Sequence, residues 1–90
     1  MKNLEKIHKL GCRGEKYINL PEEAQKVWRY QAFNILYLHY KQLKMEEMYF
    51  GTLRDLCETV LDEYEQNEEY EVCQGIRDMI YEYSAKLDQR

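Results

Sequence analysis

Residues 52–87 read TLRDLCETVLDEYEQNEEYEVCQGIRDMIYEYSAKL, and the rhythm of their apolar positions decides the fold class. Leu53 (or Phe50 one turn earlier), Cys57, Val60 and Tyr64 recur at helical intervals. Cys73, Ile76, Ile80, Tyr83 and Leu87 then repeat the alternation of three and four. Apolar residues spaced this way line one side of an α-helix, where a strand would need strict alternation. Between the two stripes lies the polar link Gln66-Asn67-Glu68, in which Asn67 suits a tight interhelical turn. Thr52 followed three residues later by Asp55 resembles a capping box, with Asp in place of Glu, and sets a helix start near Gly51. Two amphipathic helices joined by so short a link predict an antiparallel helical hairpin over about 50–66 and 69–88.

Upstream, Pro21 at a first helical position and the acidic pair Glu22-Glu23 open a long helix over about 21–44. At 1.5 Å per residue it is roughly 36 Å long. Ala24, Val27, Trp28, Ile35 and Leu38 lie roughly along one side, while Phe33, Leu36, Tyr37, Tyr40 and Leu43 fill much of the rest. A helix apolar nearly all round is either the covered central post of a bundle or one with a face awaiting a partner. Met45 to Gly51 either extends this helix or turns and restarts. Leu4, Ile7 and Leu10 predict a short helix over about 2–10 that stops at Gly11, leaving 11–20 as a loop. The expected architecture is a single all-α domain, a small three- to four-helix bundle ending in the hairpin.

Composition agrees. Ninety residues fit one domain, and 44% hydrophobic content with nine Tyr, two Phe and one Trp supplies a core that disordered chains lack. Four Gly and one Pro leave little turn chemistry for a sandwich or barrel. The first ten residues mix four charged side chains with isolated apolar ones, unlike a signal peptide, and the near-apolar run Ala32–Tyr40 is too short to span a bilayer. Three cysteines, Cys12, Cys57 and Cys73, are an odd number at irregular spacing, which predicts free thiols and a reducing, cytoplasmic setting.

Charge is segregated. Residues 1–44 carry nine basic and four acidic side chains, and residues 45–90 carry four basic and thirteen acidic. From Asp55 to Ile76 there are eight carboxylates and no Lys or Arg. Asp55, Glu58, Asp62, Glu65 and Glu69 recur at alternating intervals of three and four, offset from the apolar stripe, and predict an acidic ridge. Such a ridge is either a docking face for a basic protein partner or a solvated face that aids solubility. The excess of tyrosine points the same way, since Tyr is enriched at interfaces; Tyr37 and Tyr40 on the long helix are the candidate anchors.

Signs of catalysis are weak. The carboxylate pairs Glu46-Glu47, Asp62-Glu63 and Glu68-Glu69 are expected at the surface, without the apolar pocket that raises a catalytic pKa. No spacing typical of a zinc site or phosphate loop is present, so neither a metal nor a cofactor is expected. Cys57 and Cys73 on the hairpin stripes read as core packing, and Cys12 beside Arg13 is the better reactive thiol.

Glu69-Tyr70-Glu71-Val72-Cys73-Gln74-Gly75-Ile76-Arg77-Asp78-Met79-Ile80 resembles the second helix of the UVR motif of bacterial excision-repair proteins, although Val72 and Gly75 depart from that family's alanine-rich middle. The resemblance implies a helical hairpin that pairs with a like hairpin on another protein. The reading as a whole is a non-enzymatic protein–protein interaction module: a small acidic regulator, inhibitor or adaptor, by analogy of the kind phages make against host enzymes. The alternatives are a self-associating structural protein, with the apolar excess favouring a homodimer, or a nucleic-acid-associated protein using Lys2, Lys6, Lys9, Arg13 and Lys16. A pI near 5.2 argues against the last.

Overall fold

In a computed structural model, which describes residues 17–88, the hairpin forms where the periodicity places it. The helix expected over 2–10, the greater part of the 11–20 loop and Cys12 lie outside the described residues. The order is a 3-10 turn at Tyr17–Asn19, α1 at Glu22–Met45, α2 at Leu53–Gln66, α3 at Tyr70–Glu82 and the single turn α4 at Ser84–Leu87. The fold is all-α, a small helical bundle.

Each boundary has a local cause. Thr52 caps α2 with a complete capping box: the Asp55 amide donates to Thr52 Oγ1 at 3.1 Å, and the Thr52 amide donates to Asp55 Oδ2 at 2.9 Å. The segment after Met45 therefore turns and restarts. Pro21 is the N-cap residue of α1 with ψ 155°, so the helix starts one residue later than the sequence suggests. At the end of α1 the Met48 amide reaches back to the Leu43 carbonyl (2.9 Å) and the Glu47 amide to the Lys44 carbonyl (3.1 Å). At the end of α2, Glu69 and Glu68 make the same two bonds to Tyr64 and Glu65. Both are Schellman endings, and each places a glutamate in the left-handed region, Glu47 at φ 55° and Glu68 at φ 60°. The hairpin turn thus pivots on Glu68, whereas Asn67 closes α2 at φ −87°.

The last predicted helix, over 69–88, is not continuous. Tyr83 interrupts it at φ −102°, ψ 18°, with its ring stacked on Phe33 of α1 at 4.5 Å. The redirected turn α4 drops Leu87 fully into the core, and Arg54 of α2 holds it there by donating to the Ser84 carbonyl and the Asp88 carboxylate.

The core lies between α1 and the hairpin. Trp28, Ala32, Leu36 and Tyr40 of α1 meet Leu53, Leu56, Cys57, Val60 and Tyr64 of α2 and Cys73, Ile76 and Met79 of α3. Gly75 lets α3 close on α1: a Cβ there would lie 2.5 Å from Trp28 Cζ3. Tyr17, which the sequence assigned to loop, is buried against Trp28 with ring centroids 5.0 Å apart. Its hydroxyl donates to Asp78 and accepts from Arg29, and Arg29 in turn donates to Glu82 (each 3.0 Å). This polar cluster ties the start of the described chain to both α1 and α3.

Candidate functional site

Of the two tyrosines singled out as anchors, the structure leaves Tyr37 exposed and takes Tyr40 into the core. Tyr40 is 6% exposed, and its hydroxyl donates to the Gly51 carbonyl at 2.8 Å while Tyr49 packs edge-on against its ring. Most of Tyr40 therefore holds the α1–α2 loop. Tyr37 stacks in line with Phe33 at 6.0 Å, extending the Phe33–Tyr83 pair to the surface.

Both rings still border one concavity of about 370 Å³ at the C-terminal end of α1. Leu53 and Met45 complete its apolar wall, and three lysines stand around it: Lys41 and Lys44 from α1, Lys86 from α4. Each ammonium is poised over a ring. Lys41 lies 5.4 Å from the Tyr37 centroid, Lys44 5.9 Å from Tyr40 and 6.0 Å from Phe50, and Lys86 5.8 Å from Tyr83. Among the described residues none of the three makes an ion pair. Sequence reasoning did not find this group. Two of its members carried a local signal, because Tyr37–Lys41 and Tyr40–Lys44 are pairs one helical turn apart. Lys86 carried none, since only the break at Tyr83 brings α4 to this place.

The five carboxylates of the ridge do not act alike. Asp55 is committed to the capping box, and Glu65 accepts from Arg77 Nη2 across the hairpin. Glu69 is the N-cap residue of α3, its carbonyl accepting from the Val72 and Cys73 amides. Glu58 and Asp62 are exposed and make no ion pair among the described residues. The ridge is thus part scaffold and part open acidic surface.

The long helix is not covered on all sides. Trp28, Ala32, Leu36 and His39 face inward, while Val27, Tyr30 and Leu38 face outward, Leu38 being 63% exposed. Met45 at the helix end (84% exposed) and Met48 and Phe50 (76%) in the following loop are exposed as well. A smaller apolar notch of about 290 Å³ lies at the other end of α1, against Leu20, Val27 and Trp28.

Among the described residues the groups able to do chemistry are few. Cys57 and Cys73 are free and buried; burial pushes the Cys57 thiol up to about 12 and raises that of Cys73. A thiol held protonated in the core is a poor nucleophile and ligand. His39 is buried, neither ring nitrogen finds a hydrogen-bond partner among the described residues, and burial lowers its pKa. Among the described residues no group of three or more His, Cys, Asp or Glu is placed to hold a metal ion, and no helix is long and apolar enough to cross a membrane. Compared with protein-family models, with curated proteins and with solved structures, the chain matches none. The likeness of residues 69–80 to the UVR helix therefore remains one of residue pattern.

Proposed function

We propose that the protein is a non-enzymatic binding module, a small regulator or adaptor that acts by docking onto another protein. The observation that carries this reading is the set of exposed apolar residues on the outside of α1 and the loop after it, Val27, Tyr30 and Leu38, then Met45, Met48 and Phe50, interspersed with Gln31, Asn34 and Lys41. Single exposed apolar residues are ordinary, but a group of them along one helix and its following loop marks an interaction surface. Aromatic and Met side chains, which this set favours, are enriched in interfaces. The protonated, buried thiols are consistent with a binding role. Glu58 and Asp62 would add a long-range field that speeds encounter with a basic partner surface.

Photo-crosslinking tests the reading. A photoreactive amino acid placed at Leu38, and separately at Glu63 as an exposed control, is expressed in the native host. The expected result is a discrete adduct to one other protein from position 38 and none from position 63. Adducts to a second copy alone would replace the regulator with the self-associating protein. No adduct from position 38 would leave these residues without a partner and end the proposal.

A further inference from the structure

The concavity at the end of α1 combines two properties, an apolar wall and a basic rim. Its wall is aromatic and aliphatic, and its charge is wholly positive, in a chain whose formal net charge is −4. Among the described residues the three lysines form no ion pair. Their ammonium groups rest over Tyr37, Tyr40, Phe50 and Tyr83 at 5.4 to 6.0 Å, contacts that leave each charge without a counter-ion at the border of the concavity. They also come from two distant parts of the chain, so the site exists only in the folded bundle. At about 370 Å³ the space is within the range of pockets that take one or two side chains or a small ligand.

Three occupants can be weighed. A second copy would have to insert its acidic α2 ridge into the pocket. That contact joins two different surfaces and propagates into an open chain unless its rotation happens to close. A basic or neutral segment would leave three ammonium groups at the rim with no counter-charge as water is displaced. An acidic segment with one bulky apolar residue satisfies both properties at once: the apolar side chain enters between Tyr37, Leu53 and Met45, and flanking carboxylates meet Lys41, Lys44 and Lys86.

We propose that this lysine-rimmed concavity is a docking site for a short acidic peptide segment of a partner protein, anchored by one aromatic or large aliphatic side chain between flanking Asp or Glu. The proposal rests on the reading of the protein as a binding module and names the chemistry of one part of its partner. It also assigns Tyr37 and the exposed lysines a role separate from the acidic ridge, which suits a basic surface. The module thereby carries two contacts of opposite sign.

A random peptide library displayed on phage and selected against the whole protein at low salt provides the probes. The expected result is enrichment of sequences that place an aromatic or aliphatic residue between acidic ones. A synthetic peptide from that set should shift the amide signals of residues 37, 41, 44, 53 and 86 in a nitrogen-15 correlation spectrum. Lys41→Glu combined with Lys44→Glu, both exposed and outside the core, should weaken its binding about tenfold or more, with an unchanged far-ultraviolet circular dichroism spectrum. Replacing the acidic residues of the peptide by Asn and Gln should have the same effect. Selection of neutral or basic peptides, absence of any selected sequence, or binding unaffected by the lysine reversals would each overturn the proposal. Self-association abolished by the lysine reversals would overturn it in favour of a second copy. Failure here with a specific adduct from position 38 would remove the acidic docking site and leave the binding module standing.

Discussion

At Gly75 the absence of a side chain sets the distance between two helices. A Cβ would meet three atoms of the Trp28 ring, at 2.5, 2.7 and 2.9 Å, and that ring is itself buried between the 3-10 turn and α3. Gly75→Ala should raise intrinsic helix propensity by about 1 kcal/mol, yet the overlap with a ring that has little room to move wins. The expected outcome is a net loss of about 1–3 kcal/mol in denaturant unfolding, with an altered near-ultraviolet signal from the only tryptophan. His39 presents the opposite case, a residue whose chemistry the core does not use. The residue is 5% exposed and neither ring nitrogen has a partner among the described residues. His39→Leu should therefore stabilise the fold by about 1–3 kcal/mol, the usual penalty of a buried unsatisfied polar group. The pH dependence follows from burial. A folded pKa below the ordinary 6.5 means the unfolded chain takes up the proton first, so this contribution is intact above about 6.5 and is lost as pH falls through the folded value. Urea titrations between neutral and mildly acid pH should show a smaller loss of stability in His39→Leu than in the parent.

The elements were legible in the sequence to different degrees, and the reasons differ by element. The hairpin helices could be read because one face of each is buried and the other wet, which writes the period directly into the residues. The start of α2 could be read because Thr52 and Asp55 are side chains that make the cap. The two helix ends were placed within a residue, at about 44 and 66, but their geometry could not be read, because backbone groups make the Schellman bonds and glutamate is no turn signal. Hydropathy could not tell Trp28, which is buried, from Val27, which is not; only the packing partner decides which face of α1 is closed. The break at Tyr83 depends on a ring-stacking contact with Phe33, fifty residues away. A left-handed backbone costs an L-residue about 1–2 kcal/mol, and glycine avoids this while losing roughly 0.5–1 kcal/mol of chain entropy. Neither Glu47 nor Glu68 is buried, so no packing is lost at either position. Glu68→Gly and Glu47→Gly should each stabilise the protein by about 0.5–1 kcal/mol in thermal or denaturant unfolding. A destabilisation at position 68 would mean that the hairpin turn is not the one described.

For the molecule as a whole, alkaline pH provides a test of how the hairpin core is built. Cys57 is fully buried, and its thiol is pushed from an ordinary value of 9.0 up to about 12 by the loss of solvent around it. Tyr64, which ends the same stripe, is pushed from 10.0 to about 12 for the same reason. Folded pKa values raised above unfolded ones give stability that is complete at neutral pH. As pH climbs past 9 the unfolded chain releases the Cys57 proton while the folded one keeps it, and past 10 the Tyr64 proton follows. The difference in bound protons drives unfolding at up to about 1.4 kcal/mol per pH unit for each such group. General self-repulsion of an acidic protein and deprotonation of its lysines act in the same pH range, so the slope of the parent alone does not isolate the thiol. Cys57→Ala removes the thiol at the cost of a small cavity, which lowers stability by an amount independent of pH. The stability difference between parent and Cys57→Ala should therefore be constant from pH 7 to about 9 and should shrink as pH rises further. A difference that stays flat to pH 11 would place Cys57 in contact with water, and the α2 stripe would have to be rotated away from the core that Leu53, Val60 and Tyr64 now share with α3.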